Sequence, residues 1–406
     1  MKSTKIEFAV AGAMGLALVG VTGEASAAGF MLREQSSEYL GNSFAGSAAR
    51  ADSPATIWYN PAGMTMLHGH QIAGSLTWIA PQARFSGSSL VGGGPGGDAI
   101  DDAAVGSTFA MFDYSKDLKF GIAVVSPFGL RTSYPANWAG RFQGVASAIT
   151  NIQVNPNVAY RINQNLSIGA GITGSWVEAD LSQATMTPFG LTRLKGDAYG
   201  FGWNVGALWE FSPDTRVGIA YRSNIRNGLD GEMTSLSLGG FKLADINADL
   251  TLPGTATFSF FHRIDDKWSV MADAQWTQWS VLKSLDVYTS AGAPVARQDF
   301  SWRDTWFFSL GADYVWSKGH TLHFGAAYDM GAIEDAQHRG VRVPDADRYW
   351  LSTGYTWDVN ENVRLNLAYA HLFAPTSDAV STLGDGLVGN YKASVDIVST
   401  SFVYKF

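Results

Sequence analysis

From His68 to the last residue, the chain reads as segments of about ten residues in which apolar and polar positions alternate. The clearest case sets Val363, Leu365, Leu367 and Tyr369 against Arg364, Asn366 and Ala368. Tyr349, Leu351, Thr353, Tyr355 and Trp357 alternate with Arg348, Ser352, Gly354 and Thr356, with Trp350 the one large apolar residue on the polar side. Leu322, Phe324, Ala326 and Tyr328 face away from His323, Gly325 and Asp329. A period of two puts each set on one face of a strand. Between the strands lie short turns at 115–117, 163–165, 212–215, 265–266, 317–319 and 360–362, each built of turn-forming residues. Longer connections fall near 87–105, 128–148, 181–196, 225–248, 282–300, 331–346 and 373–391. Six short turns and seven long loops join fourteen strands. An even number leaves both chain ends on the short-turn side, the arrangement of a membrane barrel. The pattern predicts an all-β fold, a 14-stranded antiparallel transmembrane β-barrel over residues 68–406.

The stretch 28–67 does not alternate. It is rich in small residues, and Tyr39, Leu40 and Phe44 are spaced for one helical face. Pro54 and Pro61 break any regular continuation. A segment of this length cannot bury a core of its own. It is expected to sit inside the barrel as a hatch, or plug. Residues 1–27 predict a removable signal peptide: Lys2 and Lys5, an apolar run Phe8–Val21, and an A-x-A site at Ala25-Ser26-Ala27.

Composition narrows the reading. Charged residues are 16%, against about 25% in soluble domains, whereas aromatics reach 13% and glycine 45 of 406. A net charge of −8 argues against nucleic acid, and the absence of cysteine removes disulfides and thiolate sites. Gly92–Gly97 lacks the Lys-Ser/Thr of a phosphate loop. Asp98, Asp101 and Asp102 read as a solvated loop, and His68 and His70 as the start of a strand, so no metal and no cofactor are expected. His262, His323 and His371 fall on separate strands with no serine motif. The chain is therefore not read as an enzyme.

Several ordered motifs then carry a resemblance. They are Ala28-Gly29-Phe30 at the mature start, Asn60-Pro61-Ala62, and Ser126-Pro127-Phe128-Gly129-Leu130. Asn155-Pro156-Asn157-Val158-Ala159-Tyr160, Leu252-Pro253-Gly254-Thr255-Ala256 and Pro344-Asp345-Ala346-Asp347-Arg348-Tyr349-Trp350 follow. The ending Phe402-Val403-Tyr404-Lys405-Phe406 resembles the assembly signal of bacterial outer-membrane proteins. Over essentially the whole mature chain, the sequence resembles the FadL/TodX family of outer-membrane transporters for long-chain fatty acids and other hydrophobic compounds.

The resemblance implies an apolar pocket under the outer loops, reached by the mature N-terminus, and a break in the third strand that opens the wall sideways. Phe30, Phe128, Trp138 and Phe142 are then candidate substrate contacts. Asn60, Pro61, Ala62, Gly121, Pro127 and Gly129 are candidate gating residues, since Pro127 has no N–H for the ladder. By alternation Arg161, Arg216, Arg222, Arg263, Arg303, Arg348 and Arg364 point inward with Glu210, Asp273, Asp313 and Asp329, as a network gripping the hatch. Arg303 is singled out to receive a carboxylate, because a guanidinium offers paired N–H donors. Glu178 and Asp180 stand where the family's fatty-acid carriers have a second basic residue. Acids there disfavour a carboxylate and keep neutral hydrocarbons or aromatic compounds open as alternatives, with a general porin a separate one. The expected partners are a hydrophobic small molecule and outer-membrane lipid with lipopolysaccharide, around a monomer in the bacterial outer membrane.

Overall fold

Fourteen antiparallel staves close on themselves, the first (Gln71–Ser88) pairing along its full length with the last (Val388–Lys405). The computed structural model describes residues 29–381 and 385–406, so the expected leader at 1–27 lies outside the described residues. The second stave is Ala103–Asp113, and the third is broken into Leu118–Val125 and Gly129–Ser133. Ala146–Arg161, Leu166–Ala184 and Leu191–Ser212 follow as the fourth to sixth. The seventh (Thr215–Arg222 with Ile225–Ser235) and eighth (Phe241–Leu252 with Thr255–Arg263) bend at the same level. Trp268–Thr277, Thr305–Ser317, His320–Asp329, Arg348–Asp358 and Val363–Phe373 complete the wall.

All six expected short turns lie between consecutive staves at one end. The long connections differ from expectation. The stretches read as loops at 181–196 and 225–248 are mostly strand, with only residues 185–190 and 236–240 connecting them. Their charges misled the reading: outward carboxylates and bases pair across neighbouring strands, Glu178 with Lys195 and Asp180 with Arg193, which suits an extended wall in water. Residues 282–300 carry a hairpin, Ser284–Thr289 and Pro294–Asp299, whose first strand pairs with the eighth stave.

Alternation sorts the faces. Leu76, Trp78, Ile172, Leu310, Leu351 and Leu367 are exposed on the outside, while Thr77, Ser107, Asn155, Ser309 and Ser399 are buried facing in. Residues 29–67 are almost entirely buried. They form two short helices, Ser37–Leu40 and Thr56–Tyr59, and a 3-10 turn Pro61–Met66 capped by the Asn60 side chain. They touch inward-facing residues around much of the wall. Asp273 accepts bonds from Gly46 N, Ser47 N and Ser47 Oγ. Asp313 takes Asn42 and Arg50. Arg216 donates to the carbonyls of Ala49 and Arg50, Arg161 to that of Thr65, and Arg364 to that of Asp52. Glycines let the backbones meet: a Cβ on Gly218 would sit 1.9 Å from the Ala48 oxygen, and one on Gly206 2.0 Å from Asn60 Oδ1.

The wall is interrupted between the second and third staves. Their pairing stops at Thr108↔Val124, and Ala103–Ser107 pair only with the first stave. Beyond Ser126-Pro127-Phe128 the third stave resumes against the fourth alone, its register shifted by one residue. The window closes above where Ser133 N donates to Ala99 O and Ile100 bridges to Thr132.

Candidate functional site

Pro127 interrupts the ladder because it brings no N–H, and the freed backbone is answered from the N-terminal segment. Leu32 N donates to Pro127 O at 2.8 Å and Gly129 N to Phe30 O at 2.9 Å, so residues 30–32 act as a short strand against the break. Gln35 spans the window. Its Nε2 donates to Ser126 O at 2.9 Å, its Oε1 accepts from Ser126 N, and its carbonyl accepts from Ser107 Oγ on the second stave. No sequence signal marked Gln35, since its partners are backbone atoms brought close only by folding.

Inside the break lies a cavity that opens to solvent. Pro127, Phe128, Met31 and Leu32 line it on one side, and Tyr221, Arg222, Pro253 and Thr255 where the seventh and eighth staves bend. Trp58, Tyr59 and Pro61 of the N-terminal segment also face it, with Phe307, Gln275 and Asp273 from the ninth and tenth staves. Its polar groups are mostly committed. Arg33 stacks over Phe307 at 4.2 Å, bonds Gln275 and lies 3.5 Å from Asp329. Asp273 is engaged by Gly46, Ser47 and Ser259. Burial of the Glu34 carboxyl in the N-terminal segment pushes it up to about 7, against a smaller opposing pull from its own backbone and Arg33. Arg222 is half-buried and lies over the Trp58 ring, 3.4 Å from its centre.

The structure brings some expected site residues together and separates others. Phe30 packs on Phe128, Trp279 and Trp302, with ring centres 5.0–5.9 Å apart. Gly29 before it has φ +61°, and a Cβ there would sit 2.6 Å from the Trp279 ring, so only glycine suits the approach. Trp138 is fully buried elsewhere, stacked on Tyr134 at 3.9 Å among Phe85 and Tyr391, and Phe142 lies against Arg141. Gly121 belongs to the paired part of the third stave under Ile57 and Met64, whereas Pro127 and Gly129 form the break. Asn60 holds the Pro61–Ala62 turn, donating to Ala48 O and to Ala207 O on the sixth stave.

Arg303 precedes the tenth stave. It is about one-third exposed, bonded to Gly331 O and 3.5 Å from Glu334, one residue from the Trp302 ring. Glu178 and Asp180 correct an expectation: they face outward, paired with Lys195 and Arg193, while Val177 and Ala179 between them face in. They do not present acid to the interior.

Similarity to other proteins agrees with this geometry. Residues 18–406 match the family model described as outer membrane protein transport protein (OMPP1/FadL/TodX). The chain is 29% identical to a long-chain fatty acid transport protein of Escherichia coli O6:H1 (strain CFT073), over 89% of this chain and 90% of that one. It shares its fold with a crystal structure of a Pseudomonas aeruginosa FadL homologue, at a TM-score of 0.86, 23% identity, and coverage of 93% of this chain and 100% of the other. The Pseudomonas putida toluene transporter TodX superposes with a TM-score of 0.72 at 16% identity, over 94% of this chain and 100% of the other. The chain belongs to the outer-membrane transport protein family OMPP1/FadL/TodX, transporters of hydrophobic compounds rather than enzymes.

Proposed function

We propose that the protein takes up long-chain hydrophobic compounds, fatty acids among them, by binding them in the cavity and releasing them sideways between the second and third staves. The observation that carries this reading is contiguity: Pro127 and Phe128, which make the break, also line the cavity. A ligand there need not pass the N-terminal segment, which serves as the hatch closing the axial route. Apolar burial supplies most of the affinity, at roughly 0.8 kcal/mol per methylene. Arg303, beside the aromatic cluster that includes Phe30 and Phe128, meets a carboxylate at the outer mouth. A neutral hydrocarbon of similar size uses the same cavity without that contact. First and last staves pair along their full length, so the barrel closes within one chain. The working unit is a monomer surrounded by outer-membrane lipid and lipopolysaccharide.

A cavity-filling substitution tests the binding step. Thr257→Phe, on the inward face of the eighth stave and in the cavity wall, should sharply weaken binding of a long-chain ligand to the purified protein. Undiminished binding by a folded variant would place the ligand elsewhere.

A further inference from the structure

The cavity holds two guanidinium groups in different states of charge balance. Arg33 has Asp329 within 3.5 Å. Arg222 has no carboxylate within ion-pair distance among the described residues. Its Nη2 donates to Trp58 O at 2.8 Å, its Nη1 to Thr173 Oγ1 at 3.2 Å, and both reach Asn155 Oδ1 at 3.4 Å. All of these acceptors are neutral, and two of the four bonds are at the long limit for a hydrogen bond. Its Nε has no acceptor among the described residues. One face of the guanidinium lies on Trp58, which favours the cation and holds the group flat, while the residue itself lines the cavity.

Position strengthens the point. Arg222 is the last paired residue of the lower seventh stave, opposite Thr255 and Asn204. Immediately above it the seventh and eighth staves bend at Ser223-Asn224 and Pro253-Gly254. Beyond the bonds between Ser223 and Trp203, the sixth and seventh staves have no paired residues again until Asp197↔Asp230. The guanidinium thus stands at a widening of the wall, backed by an aromatic ring and facing space. A cation removed from bulk water without a counter-charge is costly.

We propose that Arg222 is an inner anion site, which binds the carboxylate of an amphiphilic substrate while its alkyl chain lies against the apolar side of the cavity. This rests on the cavity reading above and makes Arg222, beyond Arg303, the residue that sets preference for acids. Arg222 forms a planar, charge-assisted contact with the carboxylate, one that an ester or an alkane cannot reproduce.

The test titrates a long-chain fatty acid and its methyl ester of equal length into wild type, Arg222→Met and Arg222→Lys in lipid nanodiscs at pH 8. Heat-modified gel migration checks that each barrel is folded. Wild type is expected to prefer the acid by about tenfold to a hundredfold. Arg222→Met should lower affinity for the acid far more than for the ester, cutting the preference to what Arg303 alone supplies, about fivefold. Arg222→Lys should keep more of it. A wild type that binds both ligands equally overturns the proposal and leaves the cavity reading intact. A folded Arg222→Met that loses both ligands alike also overturns it, assigning the residue to holding Trp58 in place. Failure of wild type to bind either ligand overturns the cavity reading and this proposal together.

Discussion

At the residue scale, placement decides what a charge can do. Arg303 shares its charge with an exposed Glu334, and exposed pairs of this kind are worth about 0–1 kcal/mol. A carboxylate can displace that partner at little cost. Arg303→Ala is therefore expected to weaken fatty-acid binding by about 1 kcal/mol and to leave binding of an alkane of equal length unchanged. Calorimetric titration of both ligands checks it, and equal losses would make Arg303 a structural residue. Glu34 behaves differently. Its carboxyl, raised by burial to about 7 from 4.5, favours the docked N-terminal segment when protonated. That contribution is complete below about pH 4.5 and is lost as pH rises through about 7. Glu34→Gln should flatten the pH dependence of protease resistance in residues 29–67, and an unchanged profile would remove Glu34 as its cause. Alternation was enough to point Arg222 inward from sequence. Its lack of an acid and its stacking on Trp58 were not legible, because Trp58 lies 164 positions away in a segment without strand periodicity.

At the scale of elements, the wall was readable and its contents only partly so. Six turns and fourteen staves follow from period-two alternation, a local signal that survives in every strand. The outer extensions of the fifth to eighth staves, at 181–196 and 225–248, were read as loops, where Arg193, Lys195, Asp230, Glu232, Lys242 and Asp245 interrupt the apolar pattern. Above the membrane the outer face meets water, so charge there no longer argues against a strand. Pro127 did mark the break, but Gln35, which bridges it, could not be found without coordinates. The N-terminal segment is fastened at a few points, Asp273 among the strongest. Removing that carboxylate orphans Gly46 N and Ser47 N, at roughly 1–3 kcal/mol for each unsatisfied donor. Asp273→Ala is expected to loosen the segment and raise ion conductance in planar bilayers. Conductance equal to wild type would show that the remaining anchors, Asp313, Arg216 and Asn60, suffice.

At the scale of the whole molecule, the barrel combines a filled interior with a stretch of wall left unpaired between the second and third staves. Backbone exposed to hydrocarbon must be satisfied from within the protein, and here residues 30–35 do so, joining the N-terminal segment, the break and the cavity wall into one unit. Movement of that segment would change all three together. The central claim is that substrate leaves through this window, and the register provides a direct test. The third stave slips by a single residue against the fourth across the break, so deleting Pro127 alone restores a continuous register and the missing N–H. The strand can then run on against Ala103–Ser107 of the second stave. Uptake of a radiolabelled long-chain fatty acid should be measured in cells carrying this deletion, with surface level and heat-modified migration matched to wild type. The lateral route predicts that uptake falls to the level of cells lacking the protein, while the purified variant still binds ligand. Uptake equal to wild type through a barrel shown to have a continuous third stave would contradict it.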